Sequence, residues 1–135
     1  MTLDEQIAQF FTSKAFGVVG ASSRRHKYGN KVLRCYQQHG YRAIPVHPVE
    51  KEIEGAKVIA SVAGLPDEVQ SLSLITPPQI TEKIVEQASA RGIANIWMQP
   101  GAESSIAIDF CHAQGINVIS GGSCILVQLG FSEGH

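Results

Sequence analysis

Cysteine is scarce in this chain: Cys35, Cys111 and Cys124 are the three present, an odd number at unpatterned spacing. That count suits a reducing compartment and argues against a disulfide framework. No CxxC and no Cys/His pair has metal-ligand spacing, so no metal site is assigned. No apolar run approaches the ~20 residues needed to span a bilayer. No basic segment followed by an apolar run opens the chain, so no secretory signal is expected, and the reading is a soluble cytoplasmic protein. An excess of one charge is also missing. The 11 Lys and Arg are scattered against 12 Asp and Glu, for a net charge of −1. This removes the electrostatic footprint of a general nucleic-acid binder, while leaving room for one phosphate-bearing ligand held by local donors. Catalytic signatures are absent as well: no GxSxG elbow, GxxxxGK[ST] loop, HExxH or matched carboxylate pair occurs. No catalytic residue is assigned.

What is present fits one ordinary globular domain over residues 1–135, with an N-terminal helix in 1–13 and a C-terminal tail in 123–135. Thr2-Leu3-Asp4-Glu5 reads as a capping box, with Leu3, Ile7, Phe10 and Phe11 at helical spacing behind it. Residues 15–20 are a compact apolar run ending in Gly, read as a buried strand. A rhythm of helical stripe, glycine and apolar strand follows. The stripes are Val32, Leu33 and Tyr36, then Ile80, Ile84, Val85 and Ala88, then Ile106, Ala107, Phe110 and Cys111. Gly40, Gly92 and Gly115 stop them, and strands follow at 41–46, 94–98 and 116–119. A further strand over 71–76 is closed by Pro77 and Pro78, which suit the start of a helix. Residues 50–66 are less regular; 58–62 reads as a short segment and 65–68 as a helix start. This recurrence is the signature of βαβ crossovers, so the expected fold is a doubly wound α/β domain with a mainly parallel five-stranded sheet.

In such a sheet, ligands bind beyond the carboxyl ends of the strands. After the first strand come Gly20, Ala21, Ser22 and Ser23, small enough for backbone N–H groups to approach a phosphate. Arg24, Arg25 and Lys27 bring positive charge to the same place, and Tyr28, Gly29 and Asn30 begin a helix. The loop is not GxGxxG, and it reads equally as a tight turn with a solvated basic face. A bulky residue at Gly20 is expected to block a phosphate while the fold survives. After the second strand stand Val46, His47 and Pro48, with no acid before Glu50 to hold a ribose 2′-hydroxyl. That disfavours NAD and leaves an NADP-binding redox protein as one alternative. His47 reads either as a ribose or phosphate contact or as a turn residue. Thr76, Pro77 and Pro78 read as a rigid apolar wall or merely a helix start. In Trp97-Met98-Gln99-Pro100-Gly101-Ala102-Glu103, Trp97 is core, Gln99 and the Gly101 amide are candidate polar contacts, and Glu103 a helix cap. Cys124 either approaches the same edge or is a buried packing residue. An interaction domain with no nucleotide ligand is the remaining alternative.

Several runs together resemble a known family. They are Val18-Val19-Gly20-Ala21-Ser22, Tyr28-Gly29-Asn30, Pro45-Val46-His47-Pro48, Glu52-Ile53-Glu54-Gly55, Thr76-Pro77-Pro78 and the run from Trp97 to Glu103. The chain is similar over roughly residues 5–125 to stand-alone CoA-binding domain proteins, relatives of the CoA-binding domain of the succinyl-CoA ligase α chain and of ADP-forming acyl-CoA synthetases. The resemblance implies a Rossmann-like fold. It places the coenzyme A diphosphate at Gly20, Ala21 and Ser22 with the nearby basic residues, adenosine near Val46, His47 and Pro48, and further contacts at Thr76 to Pro78. It implies CoA or an acyl-CoA as ligand, and a sensor, carrier or accessory role, alone, as a homo-oligomer or beside a partner enzyme. Two departures stand out: His47 replaces the family's usual Asn, and Ser120-Gly121-Gly122-Ser123 precedes Cys124 where the family carries charges.

Overall fold

The computed structural model describes residues 1–133; the last two residues of the tail lie outside the described residues. The first helix, α1 (Leu3–Phe10), begins as expected, with the Thr2 side chain and Glu5 closing a reciprocal capping box. Strand β1 (Ala15–Val19) is buried along its whole length. Then come α2 (Tyr28–Gln38) and β2 (Ala43–Val46). A two-stranded antiparallel ribbon, β3 (Glu52–Ile53) and β4 (Ala56–Lys57), follows, and a single 3₁₀ turn (Val62–Gly64) leads into β5 (Val69–Leu74). The remaining elements are α3 (Pro78–Ala90), β6 (Asn95–Met98), α4 (Ser105–Ala113), β7 (Asn117–Ile119) and α5 (Ile125–Leu129).

The expected five-stranded sheet forms, all parallel, in the order β2-β1-β5-β6-β7. Gly40, Gly92 and Gly115 take positive φ after their helices, as the left-handed stop requires. Three helices, α1, α2 and α5, cover one face over Phe10, Phe16, Val18, Leu33, Tyr36, Trp97 and Ile125. The other face is covered by α3 and α4 over Val19, Leu72, Leu74, Val85, Ile96 and Ala107. Strand β5 shows how polar residues survive inside: Ser71 donates to the Phe10 carbonyl at 2.7 Å, and the Ser73 hydroxyl sits 2.7 Å from that of Tyr36. Pro45 sits in β2, an edge strand, where its missing N–H costs little.

Two expectations are corrected. Residues 65–68 do not start a helix; they form a turn whose Leu65 and Pro66 carbonyls accept from the Arg91 guanidinium, and the strand begins at Val69. The ribbon at 52–57 was not expected. The segment at 58–62 is partly borne out: Ile59 bridges Val46 in parallel beside β2, and the 3₁₀ turn follows. The C-terminal tail carries α5, packed on α2. Among the described residues no helix is long and apolar enough to cross a membrane.

Candidate functional site

From β1 the chain crosses to β2 on one side, and β5 takes the place on β1's other side. The crossover direction reverses there, so the loops after β1, β2 and β5 gather at one switch point on the carboxyl edge, with the loop after β6 further along it.

The loop after β1 is held by backbone contacts. Gly20 has φ +98, and a Cβ there would fall inside the Ile75 carbonyl group. A Cβ on Gly29 would in turn strike the Gly20 carbonyl oxygen. The two glycines therefore let the ends of β1 and β5 and the start of α2 nest together. This corrects the expectation that a bulky residue at Gly20 leaves the fold intact. The helix begins at Tyr28, as expected, and residues 21–27 form an irregular loop before it. Within that loop the Ser22 hydroxyl accepts from the Arg24 amide at 3.1 Å, and Ser23 donates to Glu50 at 2.8 Å. Ala21 is buried, while Arg24 and Lys27 are exposed, and Arg25 pairs with Glu54 at 3.5 Å. Lys27, at the N-cap of α2, supplies no side-chain acceptor, and no acidic residue lies in the first turn. The positive end of the helix therefore has no capping side chain and no acid in its first turn.

Asn30 is fully buried and braces this loop. Its Nδ2 donates to the Ser22 carbonyl at 2.8 Å and to Glu54 at 3.0 Å. Its Oδ1 accepts from Arg34 Nε at 2.6 Å, and Arg34 also donates to the Arg25 carbonyl at 2.8 Å. Sequence reasoning missed Arg34 and Glu54, because an arginine on a helix normally signals a solvated face; Arg34 is only 5% exposed.

A cavity of about 310 Å³ opens beside Gly20, walled by Val46, His47, Pro48, Thr76, Val62 and Ile80. It brings together residues from three of the predicted loops and is mostly apolar. His47 Nδ1 accepts from the Val49 and Glu50 amides, both at 3.0 Å, which fixes the ring and leaves Nε2 as its other polar atom. Thr76 pairs its hydroxyl with Thr81 at 2.7 Å. Pro77 is the N-cap of α3 and Pro78 its first residue; both are exposed and neither lines the cavity. A larger cavity, about 560 Å³, lies at the opposite, amino edge of the sheet between Ser13, Asp67 and Asn95.

The remaining candidates meet further along the carboxyl edge. Gln99 is fully buried; its Oε1 accepts from the Tyr28 hydroxyl and from the Ile125 amide, each at 3.0 Å. The Tyr28 oxygen lies 2.6 Å from Cys124 Sγ. Gln99 Nε2 has no hydrogen-bond partner among the described residues. Burial first, and then the adjoining thiol, push the Tyr28 phenol far above its ordinary range, so it stays protonated. Gly101 shapes the turn with φ +95. Glu103 does not cap α4, a correction: Ser104 does so, accepting from the Ala107 amide at 3.2 Å. The Glu103 carboxylate instead receives the Gly121 and Gly122 amides at 2.8 and 2.9 Å. No spacing rule reveals the Tyr28–Cys124 contact, which joins residues 96 apart.

Comparison with known proteins fits this arrangement. Residues 14–130 match the CoA binding domain family. Two Pyrococcus furiosus ADP-forming acetate–CoA ligase α subunits are 23% identical over 86% of the chain and 30% identical over 62%. This chain spans only 28% and 19% of their lengths. A conserved hypothetical protein from Pyrococcus furiosus, of known structure, superposes with a TM-score of 0.81 at 35% identity, covering 85% of this chain and 98% of that one. With a parallel Rossmann-like sheet, a pocket at its switch point and a family match over most of its length, the chain belongs to the CoA binding domain family.

Proposed function

We propose that this chain, acting as one unit, binds coenzyme A or an acyl-CoA through its nucleotide end and does no chemistry on it. The adenosine lies in the cavity beside Gly20, Val46, His47, Pro48 and Thr76. The diphosphate meets the loop at Ala21, Ser22 and Ser23 and the uncapped start of α2, with Arg24, Arg25 and Lys27 supplying countercharge. The pantetheine arm runs toward Gln99, Gly101 and Cys124. One observation carries this reading: the mostly apolar 310 Å³ cavity opens next to Gly20, at the sheet's switch point. The cavity is of the size that holds small ligands, and the charge that a diphosphate needs stands beside it.

The role is that of a carrier, a sensor or a subunit beside a partner enzyme in the cytoplasm. The names of the ligase α subunits make a ligase partner one candidate. The test is calorimetry of the purified chain against CoA, dephospho-CoA, ADP and NADP, with native mass spectrometry for a ligand that copurifies. CoA is expected to bind tightest. Absence of heat with CoA at millimolar concentration removes the reading; tighter binding of NADP would replace it with a redox role, and no binding across the panel with an interaction domain.

A further inference from the structure

The three thiols are not equivalent. Cys35 and Cys111 are fully buried, and burial pushes both up to about 11. Cys124 is partly exposed and stands at the carboxyl edge, directly before α5. Its sulfur touches the Tyr28 hydroxyl, which in turn donates to the Gln99 amide.

That amide supplies an independent observation. Gln99 Nε2 is the one buried side-chain N or O atom without a partner among the described residues. Leaving such a donor unmet is unfavourable, because it has given up water and gained no acceptor. Turning the amide over would not help, because its oxygen already serves two donors, Tyr28 and Ile125. The spot beside Cys124 therefore holds a donor in want of a carbonyl next to an accessible sulfur.

Order along the edge matters too. The strands run β2-β1-β5-β6-β7, with the adenosine cavity at the first three and Gln99 at the end of β6. Adjacent strands lie ~4.8 Å apart, so roughly 14 Å separates the ends of β2 and β6. A ligand that fills the cavity and reaches Cys124 must carry a long arm, and a carbonyl on that arm would satisfy Gln99 Nε2.

We propose that Cys124 captures the thiol end of CoA as a mixed disulfide, while Gln99 Nε2 donates to a carbonyl of the arm. This rests on the CoA-binding reading above and goes beyond it, since the protein then reduces CoA disulfide and holds one CoA covalently. The oxidant is CoA disulfide. The Cys124 thiol gives its proton to solvent, and the sulfur attacks one sulfur of CoA disulfide. The S–S bond of that molecule breaks as the new one forms, and the departing CoA thiolate takes up a proton. The Tyr28 O–H, kept protonated by its surroundings, turns toward the sulfur as negative charge gathers there. No other electron donor or acceptor is needed.

The full chain, reduced, is incubated with CoA disulfide and, separately, with glutathione disulfide at equal concentration. Intact mass should show one CoA added, removable by dithiol and mapped by peptide analysis to Cys124. The rate should exceed that with glutathione disulfide at least tenfold, and free CoA nucleotide lacking the thiol arm should suppress it. Cys124→Ser should not be modified. Calorimetry of the reduced chain with CoA reads the underlying binding separately. If CoA binds but Cys124 stays free, or reacts no faster than with glutathione disulfide, the capture is wrong and the binding reading stands. An adduct on Cys35 or Cys111 also overturns it. If CoA does not bind at all, both fall.

Discussion

Replacing Gly20 by alanine separates two explanations of a glycine in a nucleotide loop. If the residue serves only the phosphate, Gly20→Ala loses ligand and keeps stability. The geometry says otherwise. At φ +98 an L-residue costs ~1–2 kcal/mol. The new Cβ would overlap the Ile75 carbonyl, which is backbone and cannot swing aside. Clearing it means parting the ends of β1 and β5, a distortion of ~1–3 kcal/mol by analogy with overpacked cores. The total is about 2–5 kcal/mol. Gly40→Ala is the control: it has φ +76 with nothing within 4 Å of the added carbon, so only the conformational cost applies. Unfolding entropy of ~2.1 cal/mol/K per residue makes each kcal/mol worth about 3.5 °C for a chain of this size. Differential scanning calorimetry should find Gly20→Ala roughly 7 °C below Gly40→Ala. Should the two melt together while Gly20→Ala fails to bind CoA, the packing argument is refuted and the glycine belongs to the ligand.

Other outcomes follow from the same contacts. Arg34→Met removes the donors that Asn30 Oδ1 and the Arg25 carbonyl receive and should cost about 2–3 kcal/mol, with hydrogen exchange faster across residues 22–30; unchanged exchange would show that the brace is idle. Tyr28→Phe takes the hydroxyl from Gln99 and Cys124, should cost about 1 kcal/mol, and should slow modification of Cys124 by CoA disulfide. Alkylation near pH 8 should label Cys124 well before the other thiols, read by peptide mass spectrometry, because burial holds Cys35 and Cys111 protonated up to about 11. The same shifts set a pH dependence. Between about 9 and about 11 the unfolded chain has released those protons and the folded chain keeps them, so stability falls as pH rises through that window. A melting temperature that is flat from pH 9 to 11 would contradict it.

The sheet was legible because each helix announces its end. Gly40, Gly92 and Gly115 sit at the left-handed stop, and each is followed by a short apolar run too brief for a helix. The ribbon at 52–57 was hidden for the converse reason. Its turn places Glu54 at φ 49 and Gly55 at φ 77, a conformation that Asn or Asp before Gly would have advertised and Glu does not. Residues 65–68 misled because Pro followed by two acids imitates a helix start, whereas Arg91, just after the end of α3 and 26 positions from Leu65, ties up the carbonyls a helix would have used. Glu103 misled in the same way: an acid before a helix suggests a cap, but the neighbouring Ser104 has the shorter reach to the Ala107 amide.

The candidate site raises a subtler point about what glycine can report. Gly20 and Gly29 are each required by a neighbouring carbonyl group, so their presence carries no information about a phosphate. A chain that bound nothing would need them equally. Information about a ligand resides instead in groups that the fold leaves unused: the α2 start without a capping side chain, the apolar cavity beside His47, and the Gln99 Nε2 donor with no acceptor. Each has an evident repair that involves no ligand, namely an acid at residue 27, a larger side chain at Thr76, or a hydrophobic residue at Gln99. All three stand on loops at the carboxyl edge of one sheet. Packing calls for none of these three omissions, and the proposed binding of a single extended molecule covers them together.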